Sequence, residues 1–316
     1  MRALNSSYGI KAVISEFDYE QLTMVRKLEG VRYVEKDGQV NLTANTLVWG
    51  LDRIDQRRRP YDYMYSPNGN GAGSTVYVLD TGVKTDHVNF GGRAENWHEV
   101  VKVPGEPEDC NGHGTHVAGT VGAMTYGVAT GVKIRSVRVF GCGITTTIAA
   151  VVEGINFVRD RGDKTRAVVS MSLGAPKSVV IDEATTNLIN AGFIVVVSAG
   201  NEDIDVCERS PARVPKAITV GATDILDNRW SFSNFGDGLN IFAPGVEVES
   251  LSYTSSTGTR YLSGTSMAAP HVSGVAAILL SQGTPANKVA QKIYDTSTKN
   301  VVGDPKGSNN RLLYVD

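Results

Sequence analysis

Thr75-Val76-Tyr77-Val78-Leu79-Asp80-Thr81-Gly82 is the stretch whose reading decides the fold. From Thr75 to Leu79 no polar residue alternates with the apolar ones, which marks a strand buried on both faces. Asp-Thr-Gly then ends it, leaving a carboxylate at the strand's C-terminal tip. The same grammar recurs at 132–140, 167–173, 193–198 and 217–220, with helical patterns at 147–161, 180–191, 265–280 and 285–294. Apolar strands alternating with helices predict an α/β domain whose mainly parallel sheet is covered on both faces. Such sheets bind ligands beyond the carboxyl ends of their strands.

Two other segments carry chemistry toward that rim. Asn111-Gly112-His113-Gly114-Thr115-His116 and Gly264-Thr265-Ser266-Met267-Ala268-Ala269-Pro270 each open an apolar helix of small residues. Asp80, His113 and Ser266 supply the acid, base and nucleophile needed for acyl transfer by an activated hydroxyl. A fourth element, Ser198-Ala199-Gly200-Asn201, ends an apolar run and offers an amide for oxyanion stabilisation.

Each motif has a plainer reading. One Asp-Thr-Gly is half of the carboxylate pair an aspartic protease requires. Strand-end Asp residues are often turn formers, and Ser at a helix start often caps it. His113 and His116 are three apart, whereas the metalloprotease helix needs i, i+4 spacing with a Glu between. Gly264-Thr265-Ser266-Met267-Ala268 is close to a nucleophile elbow, but that fold orders its triad Ser, acid, His. Here the order is Asp80, His113, Ser266.

Bulk properties exclude several classes. The 316 residues, 41% hydrophobic and 20% charged, are enough for a sizeable core and argue against disorder. A net charge of −2 gives no reason to expect nucleic acid or an anionic membrane. No apolar run approaches the roughly 18 residues of a transmembrane helix. Met1–Tyr8 is polar, so no secretory signal is read there. Cys110, Cys142 and Cys207 leave at least one thiol without an intrachain partner and fit no structural zinc spacing.

Taken together, the four motifs resemble the subtilisin-like serine peptidases, most closely the proteinase K and aqualysin-like branch, from about Trp49 to Tyr314. The resemblance implies a three-layer α/β/α domain over 45–316 and a serine endopeptidase acting on proteins and peptides through an acyl-enzyme. It implies that Asp80 orients the imidazole, His113 is the base, Ser266 attacks, and Asn201 holds the oxyanion with the Ser266 N–H. Ser172-Leu173-Gly174 matches the strand that pairs with substrate backbone. Ser198, Ala199 and Gly200 match the wall of the primary specificity pocket. His87, His116 and His271 match structural positions. Activity is then expected to fall below roughly pH 6.5 as the base protonates.

Further expectations follow from the same resemblance. Cys110 and Cys142 match a disulfide of aqualysin-like relatives; Cys207 matches another whose partner position is occupied here by Gly238, leaving a free thiol. Residues 1–44 resemble part of an inhibitory, ferredoxin-like α+β prodomain, with a strand at 8–14, a helix at 15–28 and a strand or hairpin at 31–40. The missing first strand and helix predict a truncated N-terminus. Self-cleavage is expected within 40–46, and the sequons at Asn5 and Asn41 fit a secreted precursor. Asp52, Asp55, Gln56 and Asp62 match a structural calcium loop, with Met64 replacing one ligand and Asn240 weakening a second family site. No cofactor is expected for the chemistry. Ile144-Thr145-Thr146 replaces a Gly-Ser-Gly substrate edge and crowds the outer subsites. The expected molecule is a secreted monomer; the alternative is a catalytically silent homologue that binds peptides.

Overall fold

The computed structural model describes residues 2–5, 11–32, 34 and 48–316. The chain forms two compact units, Met1–Ala44 and Asn45–Asp316.

In the first unit, strands Arg2–Asn5 and Lys11–Ile14 pair antiparallel. The helix is Tyr19–Val25, shorter than the sequence pattern suggests. Asp18 sets its start through a capping box with Gln21: the Gln21 N–H donates to Asp18 Oδ1 and the Asp18 N–H to Gln21 Oε1. No residue of this helix is buried. Of the strand expected at 8–14, residues 11–14 are the observed Lys11–Ile14 strand; residues 8–10, most of the segment at 31–40 and the cleavage window at 40–46 lie outside the described residues.

In the second unit a nine-stranded sheet runs, edge to edge, Thr298–Lys299, Arg311–Leu312, Ile241–Pro244, Ile218–Thr223, Ile194–Ser198, Ala167–Met171, Thr75–Asp80, Lys133–Arg138 and Ala94–Glu99. Every pairing is parallel except that of the two strands nearest the C-terminus. Side chains alternate between two cores. Val76 and Val78 pack with Val117, Val121, Val272 and Val275 from helices His113–Gly122 and Thr265–Ser281. Tyr77 and Leu79 pack on the other face with Val151, Ile155, Ile181 and Leu188 from helices Ile148–Arg161 and Val179–Asn190. Burying both faces is why these strands read as unbroken apolar runs.

The Thr75–Asp80 strand lies between Lys133–Arg138 and Ala167–Met171, so the chain crosses it between those two strands. That reversal of winding opens a crevice at the carboxyl ends, where Asp80 ends its strand.

Candidate active site

Asp80 is held before it meets any partner. Its Oδ1 accepts the Thr81 N–H at 2.8 Å and lies 2.7 Å from His113 Nδ1. The carboxylate is 2% exposed and its Oδ2 is buried without a partner among the described residues. With Nδ1 donating to Asp80, the imidazole presents Nε2 as its acceptor. Burial depresses the His113 imidazolium, but the Asp80 charge and hydrogen bond outweigh it, and the net shift is upward from the usual value.

His113 is the first residue of its helix because Gly112 breaks the chain there with a φ of 95°. Gly114 is required by close approach: a Cβ at 114 would sit 2.1 Å from the Gly82 carbonyl oxygen. The helix therefore rests directly on the backbone that follows Asp80.

Ser266 stands second in the Thr265–Ser281 helix, where its N–H has no intrahelical acceptor. Pro270 lies one turn on and has no N–H to give to the Ser266 carbonyl. Ser172 Oγ donates to that carbonyl instead, at 2.8 Å. In return the Ser266 hydroxyl donates to the Ser172 carbonyl at 3.3 Å, and no hydrogen bond between Ser266 and His113 occurs. The expected contact of nucleophile with base is thus absent in this rotamer. A hydroxyl turns freely, and such bonds are commonly loose before substrate arrives.

Thr265 sets the orientation of the Asn201 amide, a role its place beside Ser266 does not announce. Thr265 donates to Asn201 Oδ1 from both its N–H (2.9 Å) and its hydroxyl (2.8 Å), while the same hydroxyl accepts the Gly200 N–H. With Oδ1 occupied, Nδ2 is the free end of the amide.

These groups line one cavity of about 290 Å³: Asp80, His113, Ser266 and Asn201, with Ser172–Gly174 on one wall and Ser198–Gly200 on another. Ile144 projects at its rim, 89% exposed. Glu202 and Arg209 also line it, as an ion pair of 2.8 Å. The second Glu202 oxygen accepts from Asn234 Nδ2, so that carboxylate is fully engaged.

Three of the remaining histidines are internal, while His98 is half-exposed on the Ala94–Glu99 edge strand. His87 Nε2 meets the Gly258 carbonyl (2.9 Å), His116 Nε2 meets Val248 (3.0 Å), and His271 Nδ1 meets Met267 (2.8 Å). Burial lowers His116 to about 3 and His271 to about 4. Cys110 and Cys142 are bonded with Cα atoms 4.9 Å apart. Cys207 is free and exposed, and a Cβ placed on Gly238 would lie 3.9 Å from its sulfur.

The 52–62 segment brings three carboxylates together, Asp52, Asp55 and Asp62. Burial raises Asp52, and burial with the charges of Asp52 and Asp62 raises Asp55 to about 6. Asp52 accepts the N–H groups of Asp62 and Tyr63 and an amide N–H of Gln56; Asp62 accepts Met64 N–H and Asp55 Oδ2 accepts Ser66 N–H. Asp55 Oδ1 is buried with no partner among the described residues. Uncompensated carboxylates with an orphaned oxygen fit a hard cation. Among the described residues the only trio of His, Cys and acidic ligand atoms within 4.8 Å of one another is Glu106, Cys110 and Cys142, whose sulfurs are spent in the disulfide. A cation at 52–62 would therefore need carbonyl or water oxygens as well.

The subtilase family model matches residues 71–312. The chain is 46% identical over 313 residues to an extracellular serine proteinase of Thermus sp. (strain Rt41A), covering 97% of this chain and 76% of that protein. It is 40% identical over 317 residues to alkaline serine exoprotease A of Vibrio alginolyticus, spanning 97% of this chain and 59% of that protein's length. A crystal structure of a cold adapted subtilisin-like serine proteinase superposes with a TM-score of 0.83 at 42% identity, covering 86% of this chain and 99% of the other. The chain belongs to the subtilase family and is a serine-type peptidase. Its sheet and helices form the three-layer α/β architecture of that fold.

Proposed function

We propose that this chain is a serine endopeptidase that cleaves peptide bonds in proteins through an Asp80–His113–Ser266 triad. The observation that carries the reading is the 2.7 Å Asp80–His113 hydrogen bond in a cavity that Ser266 and Asn201 also line. Rotation of the Ser266 hydroxyl toward His113 Nε2 starts the reaction. The imidazole takes the proton as Oγ attacks the scissile carbonyl, and Asp80 stabilises the imidazolium that forms. The developing oxyanion accepts hydrogen bonds from Asn201 Nδ2 and the Ser266 N–H. His113 then returns the proton to the departing amine, and water repeats the sequence to release the acyl group.

Substrate backbone lies along Ser172-Leu173-Gly174, and the first residue on its acyl side enters the pocket walled by Ser198, Ala199 and Gly200. A structural Ca²⁺ on the loop of Asp52, Asp55, Gln56 and Asp62 stabilises the fold and takes no part in the chemistry; the buried Asp55 Oδ1 supports this. Secretion is supported by the disulfide. Residues 1–44 act as an intramolecular inhibitor removed by self-cleavage within 40–46, and the mature unit 45–316 is a monomer.

The observation on the side of a catalytically silent peptide binder is the Ser266 hydroxyl, which donates to Ser172. Hydrolysis of a denatured protein and of a chromogenic peptide by wild type, lost in Ser266→Ala with unchanged melting temperature, supports the enzyme. A wild-type protein that binds peptides yet cleaves none refutes it.

A further inference from the structure

A second buried carboxylate lies beside the Asp80–His113 pair. Asp109 is 2% exposed and follows an acidic, Pro- and Gly-rich loop, where an Asp looks like one more solvated charge. Instead five donors converge on it. Its Oδ1 accepts the N–H groups of Asn111 (3.0 Å) and Gly112 (2.7 Å) and the Thr81 hydroxyl (3.0 Å). Its Oδ2 accepts the Thr115 N–H (3.0 Å) and hydroxyl (2.5 Å). Five donors on two oxygens match the acceptor capacity of a carboxylate.

The network has two ends. One is the helix start that carries His113. Gly112 has no side chain to cap it, so its orphan N–H groups are satisfied from outside: His113 by Asn111 Oδ1, Gly114 by the Thr81 hydroxyl, Thr115 by Asp109. The other end is the backbone that follows Asp80. Thr81 Oγ1 donates to Asp109 while accepting from Gly114, and Thr115 Oγ1 accepts the Lys84 N–H. Asp109 thus ties the strand bearing the acid to the helix bearing the base.

We infer that Asp109 is a positioning residue, setting the Asp80–His113 separation and adding a second fixed anion beside the imidazole. The inference rests on the triad reading above. The ionisable groups around His113 are Asp80 and Asp109, which favour its cationic form, Arg260, which opposes it, and His116 in the same helix. Removing the Asp109 charge together with the tie therefore moves the acid limb of kcat/KM to lower pH, and further than Thr81→Val, which cuts the tie but keeps the charge.

The test uses Asp109→Asn and Thr81→Val in the full chain, with active sites counted by fluorophosphonate titration. Turnover per titrated site falls roughly ten- to hundredfold in both, as misplacement of a catalytic group by about 1 Å predicts, with KM held within about twofold. The acid limb shifts downward further in Asp109→Asn than in Thr81→Val. If that variant does not fold, Thr115→Val, which removes one hydroxyl donor to the same carboxylate, takes its place and lowers per-site turnover with KM unchanged. Per-site turnover equal to wild type in the folded variants overturns the inference, since a merely structural role lowers only the number of active sites. An unmoved limb in folded Asp109→Asn also overturns it. A wild type that takes up no fluorophosphonate contradicts the triad reading, and this inference with it.

Discussion

Gly114→Ala probes the packing that joins acid to base. A methyl at 114 would lie 2.1 Å from the Gly82 carbonyl oxygen, against the 3.0 Å below which real Cβ contacts are essentially never found; it would also stand 3.1 Å from Asp80 Cβ. Something must move by about 1 Å. The Gly82 side cannot yield, because the chain there has a φ of 107° and lies against the Glu108 carbonyl, 1.9 Å from where its own Cβ would be. The Asp80 side is the end of a central strand, registered there against Arg138, and the Asp80 carbonyl accepts the Val139 N–H. The helix start moves instead and carries His113 away from Asp80. A misplacement of that size costs about a hundredfold in kcat. Overpacking adds about 1–3 kcal/mol of destabilisation, or a drop of roughly 2–12 °C in melting temperature. The assay is kcat per titrated active site on a chromogenic peptide, with melting followed by circular dichroism. A Gly114→Ala protein with wild-type melting and turnover within about threefold refutes the packing argument.

Three other outcomes follow from particular groups. The net upward shift of His113 sets the acid limb of kcat/KM above pH 6.5, because the neutral imidazole is the base and is lost as pH falls through the folded value; a profile flat down to pH 6 contradicts this. His116 and His271 titrate lower folded than unfolded, so the unfolded chain binds the extra protons and stability falls as pH drops below about 6.5. At pH 5 the two together cost about 4 kcal/mol relative to pH 8, and denaturant melts at the two pH values check it; equal stability would count against it. Gly238→Cys restores a partner 3.9 Å from the Cys207 sulfur. Loop closure predicts a gain of up to about 3–4 kcal/mol, less the strain of meeting Val206 at 2.8 Å, and mass mapping of a 207–238 bridge with a raised melting temperature is the expected result.

What was legible in the sequence depended on whether a residue's role lay in its own neighbourhood. The central strands and long helices were legible because burial on both faces writes unbroken apolar runs; the observed bounds differ by only a few residues, as with Lys133–Arg138 inside 132–140. The edge strand Ala94–Glu99 was not, since its residues are half-buried and polar, nor was Ile241–Pro244, which is short and followed by glycine. In the site, Asp80, His113, Ser266 and Asn201 stood out through their glycines. Asp109 and Thr265 did not, because their importance lies in donors and acceptors supplied by distant segments. The Ser172–Ser266 exchange of hydrogen bonds was hidden likewise: Pro270 announces a missing N–H, but only the fold shows which hydroxyl replaces it.

Covalent capture of Ser266 tests the central claim most directly. Wild-type protein treated with a fluorophosphonate and mapped by mass spectrometry should carry one adduct, on Ser266, formed at a rate that falls steeply in His113→Ala and Asp80→Asn. An adduct on another residue, or a Ser266 labelling rate indifferent to both substitutions, would contradict it.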